Sequence, residues 1–134
     1  PKASNKANLA EAANRSKQAA IDRARELQNL PRKLRPRMVS AVVDVKTGKL
    51  YLGNSSFISD NINSVLLRQM PKVSLEQWAV ANCAEFNAVN NALNAGARIH
   101  DLVVTTVRVS DLVLAPMCRN CVQSIKGVLL VVSG

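Results

Sequence analysis

Asn82-Cys83-Ala84-Glu85 and, further along, Pro116-Met117-Cys118-Arg119-Asn120-Cys121 hold every cysteine of this 134-residue chain. Together they read Cys-x-Glu, a long gap, then Pro-x-Cys-x-x-Cys. Three thiolates, Cys83, Cys118 and Cys121, can hold a zinc ion and leave its fourth position open for water. The metal brings the pKa of that water to about 7, so hydroxide is available at neutral pH. Glu85, kept off the metal, takes the water's proton and passes it to the substrate. The spacing agrees. Asn82 as a helix N-cap would put Cys83 at the first helical position and Glu85 at the third. Cys118 and Cys121 fall on one face of a helical turn, and Pro116 suits a helix start. Thiolates at two helix N-termini meet the positive ends of both dipoles, which lowers their pKa.

Plainer readings stand beside this one. Asn82 with Glu85 is also a capping box, with the glutamate reaching back to the Asn82 amide. A lone Cys-x-x-Cys suits a redox pair or half of a structural zinc site. Single cysteines are often small buried hydrophobes. A structural tetrahedral site needs a fourth ligand. The one histidine, His100, would have to supply it, and it stands before an apolar run that reads as a strand.

The length fits a single domain, 1–134, with a sizeable core. No apolar run approaches the ~18 residues of a membrane span. The odd number of cysteines argues against a disulfide framework and for reduced, metal-bound thiols in a cytoplasmic setting. The first residue is Pro1, so the chain reads as a fragment of something longer. The net charge of +9 is lopsided, since residues 1–37 carry ten basic residues against three acidic ones. They form a basic helical N-terminal arm, an electrostatic footprint for nucleic acid or for an acidic protein partner. A solvated helix surface would give the same pattern.

In chain order, Leu9–Leu27 is predicted as a helix with apolar positions Leu9, Ala13, Ala20, Ala24 and Leu27, after a frayed polar start. Pro31 and Pro36 bracket a basic connector. Met38–Val45 reads as a buried strand, Lys46–Lys49 as a tight turn and Leu50–Leu52 as the return strand, with Gly53-Asn54-Ser55-Ser56 closing the hairpin. Asn61–Gln69 is a short helix stopped by Pro71, and Ser74–Ala81 is open between helix and loop. Cys83–Ala95 is a helix closed by Gly96, with Ala84, Ala88, Ala92 and Ala95 allowing close packing on a sheet. Leu102–Val109 is the central strand, Ser110–Met117 a loop, Cys118–Ile125 a helix and Val128–Val132 the last strand. The order is that of an α/β layer fold with a leading hairpin. A parallel crossover through the second cysteine helix brings that helix near a strand C-terminal end, where α/β ligand sites lie. The first cysteine helix must reach the same edge if all three sulfurs share one metal.

These residues resemble zinc nucleobase deaminases, in which one ligand, a glutamate two residues on and a downstream Cys-x-x-Cys pair recur. The chain is similar to the cytidine-deaminase-like superfamily and, within it, looks most like the YwqJ-like deaminases, C-terminal toxin domains of bacterial polymorphic toxins. The likeness spans residues 30–134. It rests on Leu30-Pro31-Arg32-Lys33-Leu34-Arg35-Pro36, Asp44-Val45-Lys46-Thr47-Gly48-Lys49-Leu50-Tyr51-Leu52-Gly53-Asn54, Cys83-Ala84-Glu85-Phe86-Asn87-Ala88 and the Cys118–Cys121 phrase. The resemblance implies Zn2+ on Cys83, Cys118 and Cys121, with Glu85 as proton shuttle. It implies a three-layer fold with helices on both faces of a mixed sheet of four or five strands, in order 2-1-3-4. It places substrate contacts at Asn54, Ala84 and the backbone around Ala115. A turn asparagine is the plainer account of Asn54. Trp78, shortly before Cys83, is a further pocket candidate, with core packing as its alternative. Two departures are visible: Met117 separates Pro116 from Cys118, and the fifth strand whose direction separates nucleoside from nucleic-acid enzymes is missing.

The expected function is a delivered toxin fragment acting in the target-cell cytoplasm, a zinc-dependent hydrolytic deaminase of a base in DNA or RNA, cytosine before adenine. A target base in a duplex must be flipped out or already unpaired. An acidic immunity protein is the expected partner. The alternatives are a free cytidine or deoxycytidine deaminase and, without catalysis, a zinc-stapled nucleic-acid-binding module. Aromatic residues make up only 3%, which excludes a broad base-stacking platform.

Overall fold

Met38–Asp44 is an almost unbroken run of apolar and β-branched residues, and such runs form strands buried on both faces. In the computed structural model, which describes residues 2–132 and the side chains of residues 8–132, this strand (β1) is buried from Val39 to Asp44. A turn with Gly48 at φ +75° returns the chain as β2, Leu50–Asn54, antiparallel to β1. β3, Leu102–Arg108, lies antiparallel on the other side of β1, and β4, Leu130–Val132, runs parallel to β3. The sheet is four-stranded and mixed, in the expected order β2-β1-β3-β4.

Helices cover both faces. Strand side chains alternate, so Val39, Ala41, Val43, Val103 and Val107 point to one face and Val42, Leu102 and Val104 to the other. The first face takes α1, Lys2–Leu27, whose contact stripe is Ala12, Ser16, Ala20, Ala24 and Leu27. Small residues let the helix sit close to the sheet, and the fully buried Ser16 hydroxyl pairs with Thr105. The basic segment is therefore a layer of the fold, and it is helical from Lys2 rather than frayed up to Asn8. The expectation of Ala13 in the stripe is off by one position, with Ala12 buried and Ala13 only partly so.

The second face takes three helices: α2, Ser64–Gln69; α3, Ala84–Asn94; and α4, Arg119–Ser124. α2 is capped by Asn63, whose side chain accepts from the Val65 amide at 3.0 Å, so it starts later than Asn61. α3 is buried on nearly every side, with Phe86 fully enclosed, a burial that contributes about 2–3 kcal/mol. Gly96, at φ +102°, ends it as expected. Ala95 is exposed and leaves the predicted alanine stripe at three residues. The close approach is made from the sheet side: a Cβ on Gly53 of β2 would lie 2.8 Å from the Cα of Ala88.

Four asparagines of α3 tie the helix to what lies above it. Asn87 Nδ2 donates to the Asn54 carbonyl at 2.9 Å and Asn91 Nδ2 to the Leu52 carbonyl at 2.8 Å. Asn90 and Asn94 both donate to the Asn61 carbonyl, and Asn90 also accepts from the Asn63 amide at 2.7 Å. The chain between β2 and α2 is pinned to one helix in this way.

Candidate metal centre and active site

The segment before α3 closes in a 3-10 turn, Val80–Asn82, and only there is Ser74–Ala81 helical. That turn commits the Asn82 amide to the Ala79 carbonyl at 3.0 Å, so Glu85 has no amide to reach back to. The capping-box reading of Asn82 and Glu85 is thus overturned. Cys83 itself is the N-cap of α3, Ala84 the first helical residue and Glu85 the second. Cys118 likewise caps α4 and Cys121 sits one turn in, while Pro116 lies outside the helix. Both cysteine helices begin at the same edge of the sheet, where β2 and β3 end.

The three sulfurs converge there. Cys83, Cys118 and Cys121 Sγ all lie within 4.8 Å of one another, with Cys83 to Cys118 at 3.4 Å. Tetrahedral zinc–thiolate bonds of 2.3 Å require sulfurs about 3.8 Å apart, so this donor set fits that ion. Among the described residues no other group of three or more His, Cys, Asp or Glu side chains gathers this way. His100 stands exposed in the turn Ile99–Asp101 that leads into β3, at the opposite end of the strand from the cysteines. It cannot complete a four-ligand structural site, and three ligands leave a coordination position open.

The thiols share protons. Cys121 and Cys83 hydrogen-bond to Cys118 and hold it far below the ordinary thiol range, with the Cys121 and Asn120 amides adding to the effect. The same contact with Cys118 and burial push Cys83 and Cys121 up. A divalent cation would displace the protons that remain, since the metal takes thiolates.

Cys121 is fully buried, and Cys83 and Cys118 line a cleft of about 300 Å³, within the range of small-ligand sites. Glu85 lines it and is only 5% exposed; burial pushes its carboxyl up to about 7, against the opposing effect of its own backbone amide. The carboxylate lies outside the sulfur cluster, which keeps it available as a base. Ala84, Ala115 and Trp78 also line the cleft. The Ala115 amide is spent on the Thr106 carbonyl at 2.9 Å, so only the carbonyl side of that residue remains to meet a ligand. Trp78 is 43% exposed, which removes the core-packing account.

Asn54 is not brought to this cleft. It lines a second cavity between α1 and α3 beside β2, and the two following residues, Ser55 and Ser56, line the cleft instead. Ser56 adopts φ +64°, and its amide donates to the Asn82 carbonyl at 3.1 Å, which joins the end of β2 to the residue before Cys83. Arg37, Asn82 and Thr106 are further lining residues that the sequence reading missed. The hairpin register was the available signal. Antiparallel pairing from Val39 with Asn54 puts Arg37 and Met38 opposite Ser55 and Ser56.

No protein-family model, curated protein or solved structure matches this chain. No helix among the described residues is long and apolar enough to cross a membrane.

Proposed function

We propose that this chain is a zinc-dependent hydrolytic deaminase with a cytidine-deaminase-like fold, converting cytosine to uracil in nucleic acid. The observation that carries the reading is a cluster of three cysteine sulfurs, two of them (Cys83 and Cys118) lining one cleft with the third buried behind it, and in the same cleft a buried carboxyl outside the cluster, two residues past Cys83. The 2-1-3-4 strand order and the two cysteine-capped helices support it. Cys83, Cys118 and Cys121 would hold the zinc, which supplies the Lewis acidity that brings a water to a pKa of about 7. Glu85 takes that water's proton at its carboxylate and gives it to N3 of the base as oxygen adds to C4. Glu85 then takes the second proton from the hydroxyl now on C4 and gives it to the exocyclic amine, the C4–N4 bond breaks, and water plus cytosine has become uracil plus ammonia. Burial raises the Glu85 carboxyl in the metal-free protein and keeps it off bulk water in the cleft, where a carboxyl can serve as a proton carrier.

The polymer rather than the free nucleoside is favoured by the net charge of +9 and by Arg37 at the cleft. On the same reading the chain is a delivered toxin fragment that works in a target-cell cytoplasm and is neutralised by an acidic immunity protein. Ammonia release by the zinc-loaded protein, measured on cytidine, single-stranded DNA, duplex DNA and RNA with Glu85→Ala as the blank, tests it. Release from a polymer and none in the blank is the expected result, with the variant keeping its zinc. Release from cytidine alone would make it a nucleoside enzyme. No release with zinc bound in both proteins would point to another base or to a binding module.

A further inference from the structure

The indole Nε1 of Trp78 donates a hydrogen bond to Cys83 Sγ at 3.1 Å. A half-exposed tryptophan on a loop does not make that contact by chance packing, because the loop that carries it is tied down from the other cysteine helix. Asn120, fully buried between Cys118 and Cys121, accepts from the Leu75 amide and donates to Ser74 Oγ, each at 2.8 Å. Ser74 Oγ in turn donates to the Trp78 carbonyl and accepts from the Glu76 amide. Arg119, the other residue between the cysteines, binds Glu76 at 2.9 Å and the Leu75 carbonyl. The residues inside Cys-x-x-Cys thus fasten a strap, residues 74–78, that delivers one N–H to the sulfur of the distant first cysteine.

We infer that Trp78 is a positioning residue for the metal ligand Cys83, its N–H drawing electron density from the thiolate while the strap holds it in line. The inference rests on the metal-centre reading above. Three thiolates around one divalent ion leave a net negative charge. Each N–H donated to sulfur reduces the charge that the ligand places on the metal, which keeps the metal a stronger Lewis acid. Outer partners of this kind also hold ligands in place, and their loss typically costs 10–100-fold in metal affinity. Trp78 then serves the metal through its N–H, and its ring face is left to bound substrate.

Trp78→Phe separates the two roles, since phenylalanine keeps an aromatic face and loses the N–H. Ser74→Ala leaves the indole in place but unties the strap. Both proteins would be loaded with Co2+, whose thiolate-to-metal charge-transfer band reports electron density on sulfur. Zinc affinity would be measured against a chromogenic chelator. The expected result for Trp78→Phe is a band at longer wavelength and about tenfold weaker zinc retention. Ser74→Ala should shift both the same way and by less. A band and retention equal to the unmodified protein's in Trp78→Phe would overturn the role of Trp78. A shift in Trp78→Phe with none in Ser74→Ala would overturn the strap. Absence of any thiolate band in the unmodified protein would overturn the metal centre and this role together.

Discussion

At the scale of single residues, Glu85 bears the main consequence of the cleft. Burial raises its carboxyl from 4.5 to about 7 in the folded protein. A carboxyl raised on folding favours the protonated native state. Its contribution to stability is full below pH 4.5 and is lost as pH rises through about 7. In chelated protein, the shift is worth about 3 kcal/mol between those limits. Glu85→Gln should remove this dependence, so that the variant unfolds at higher urea than the unmodified protein at pH 8 and not at pH 4.5. Equal pH dependence in the two would show the carboxyl to be solvated. The same substitution should cut turnover by about 10²–10⁴. The cysteine and glutamate positions were legible because their spacing is local and their chemistry is restricted. The cap was not. Whether Asn82 or Cys83 starts the helix depends on the 3-10 turn Val80–Asn82 ahead of it, and no residue there announces that turn.

At the scale of elements, α3 and β2 depend on each other through Gly53. Its missing side chain is where the Ala88 backbone passes, and backbone cannot step aside as the end of a long side chain can. Gly53→Ala should therefore lower unfolding free energy by about 1–3 kcal/mol in urea titration. It should also reduce turnover, because α3 carries Cys83 and Glu85 at its start. An unchanged urea midpoint would mean that the helix slides without cost. The eight elements were readable in order, since β-branched runs, prolines and glycines mark them. Their ends were less so: α2 begins at Ser64 because Asn63 caps it, and β4 shortens to Leu130–Val132, where pairing with β3 begins. The position of Asn54 was unreadable for a similar reason. The strand's side-chain alternation turns it away from the cleft, and the αL residue Ser56 brings the chain back.

At the scale of the whole molecule, the helix richest in charge and the cysteine helices lie on opposite faces of one sheet. Arg37, which joins the basic connector to β1, lines the cleft, whereas α1 lies on the other face; on the proposed nucleic-acid reading the cleft's own cation is therefore Arg37. Affinity for single-stranded nucleic acid should accordingly fall with salt. Neutralising three phosphates gives a slope of log K against log[salt] of about −2. A flat response in a filter-binding titration would remove charge as the source of substrate preference. The layer arrangement also has a consequence for the free margin of the hairpin. An exposed strand edge offers a row of bare carbonyls and amides to any other strand, the common route to aggregation. Along β2 the carbonyls of Leu52 and Asn54 are already held by Asn91 and Asn87 of the same molecule. A second copy finds those two acceptors taken, which weakens the hairpin margin as a template for another strand.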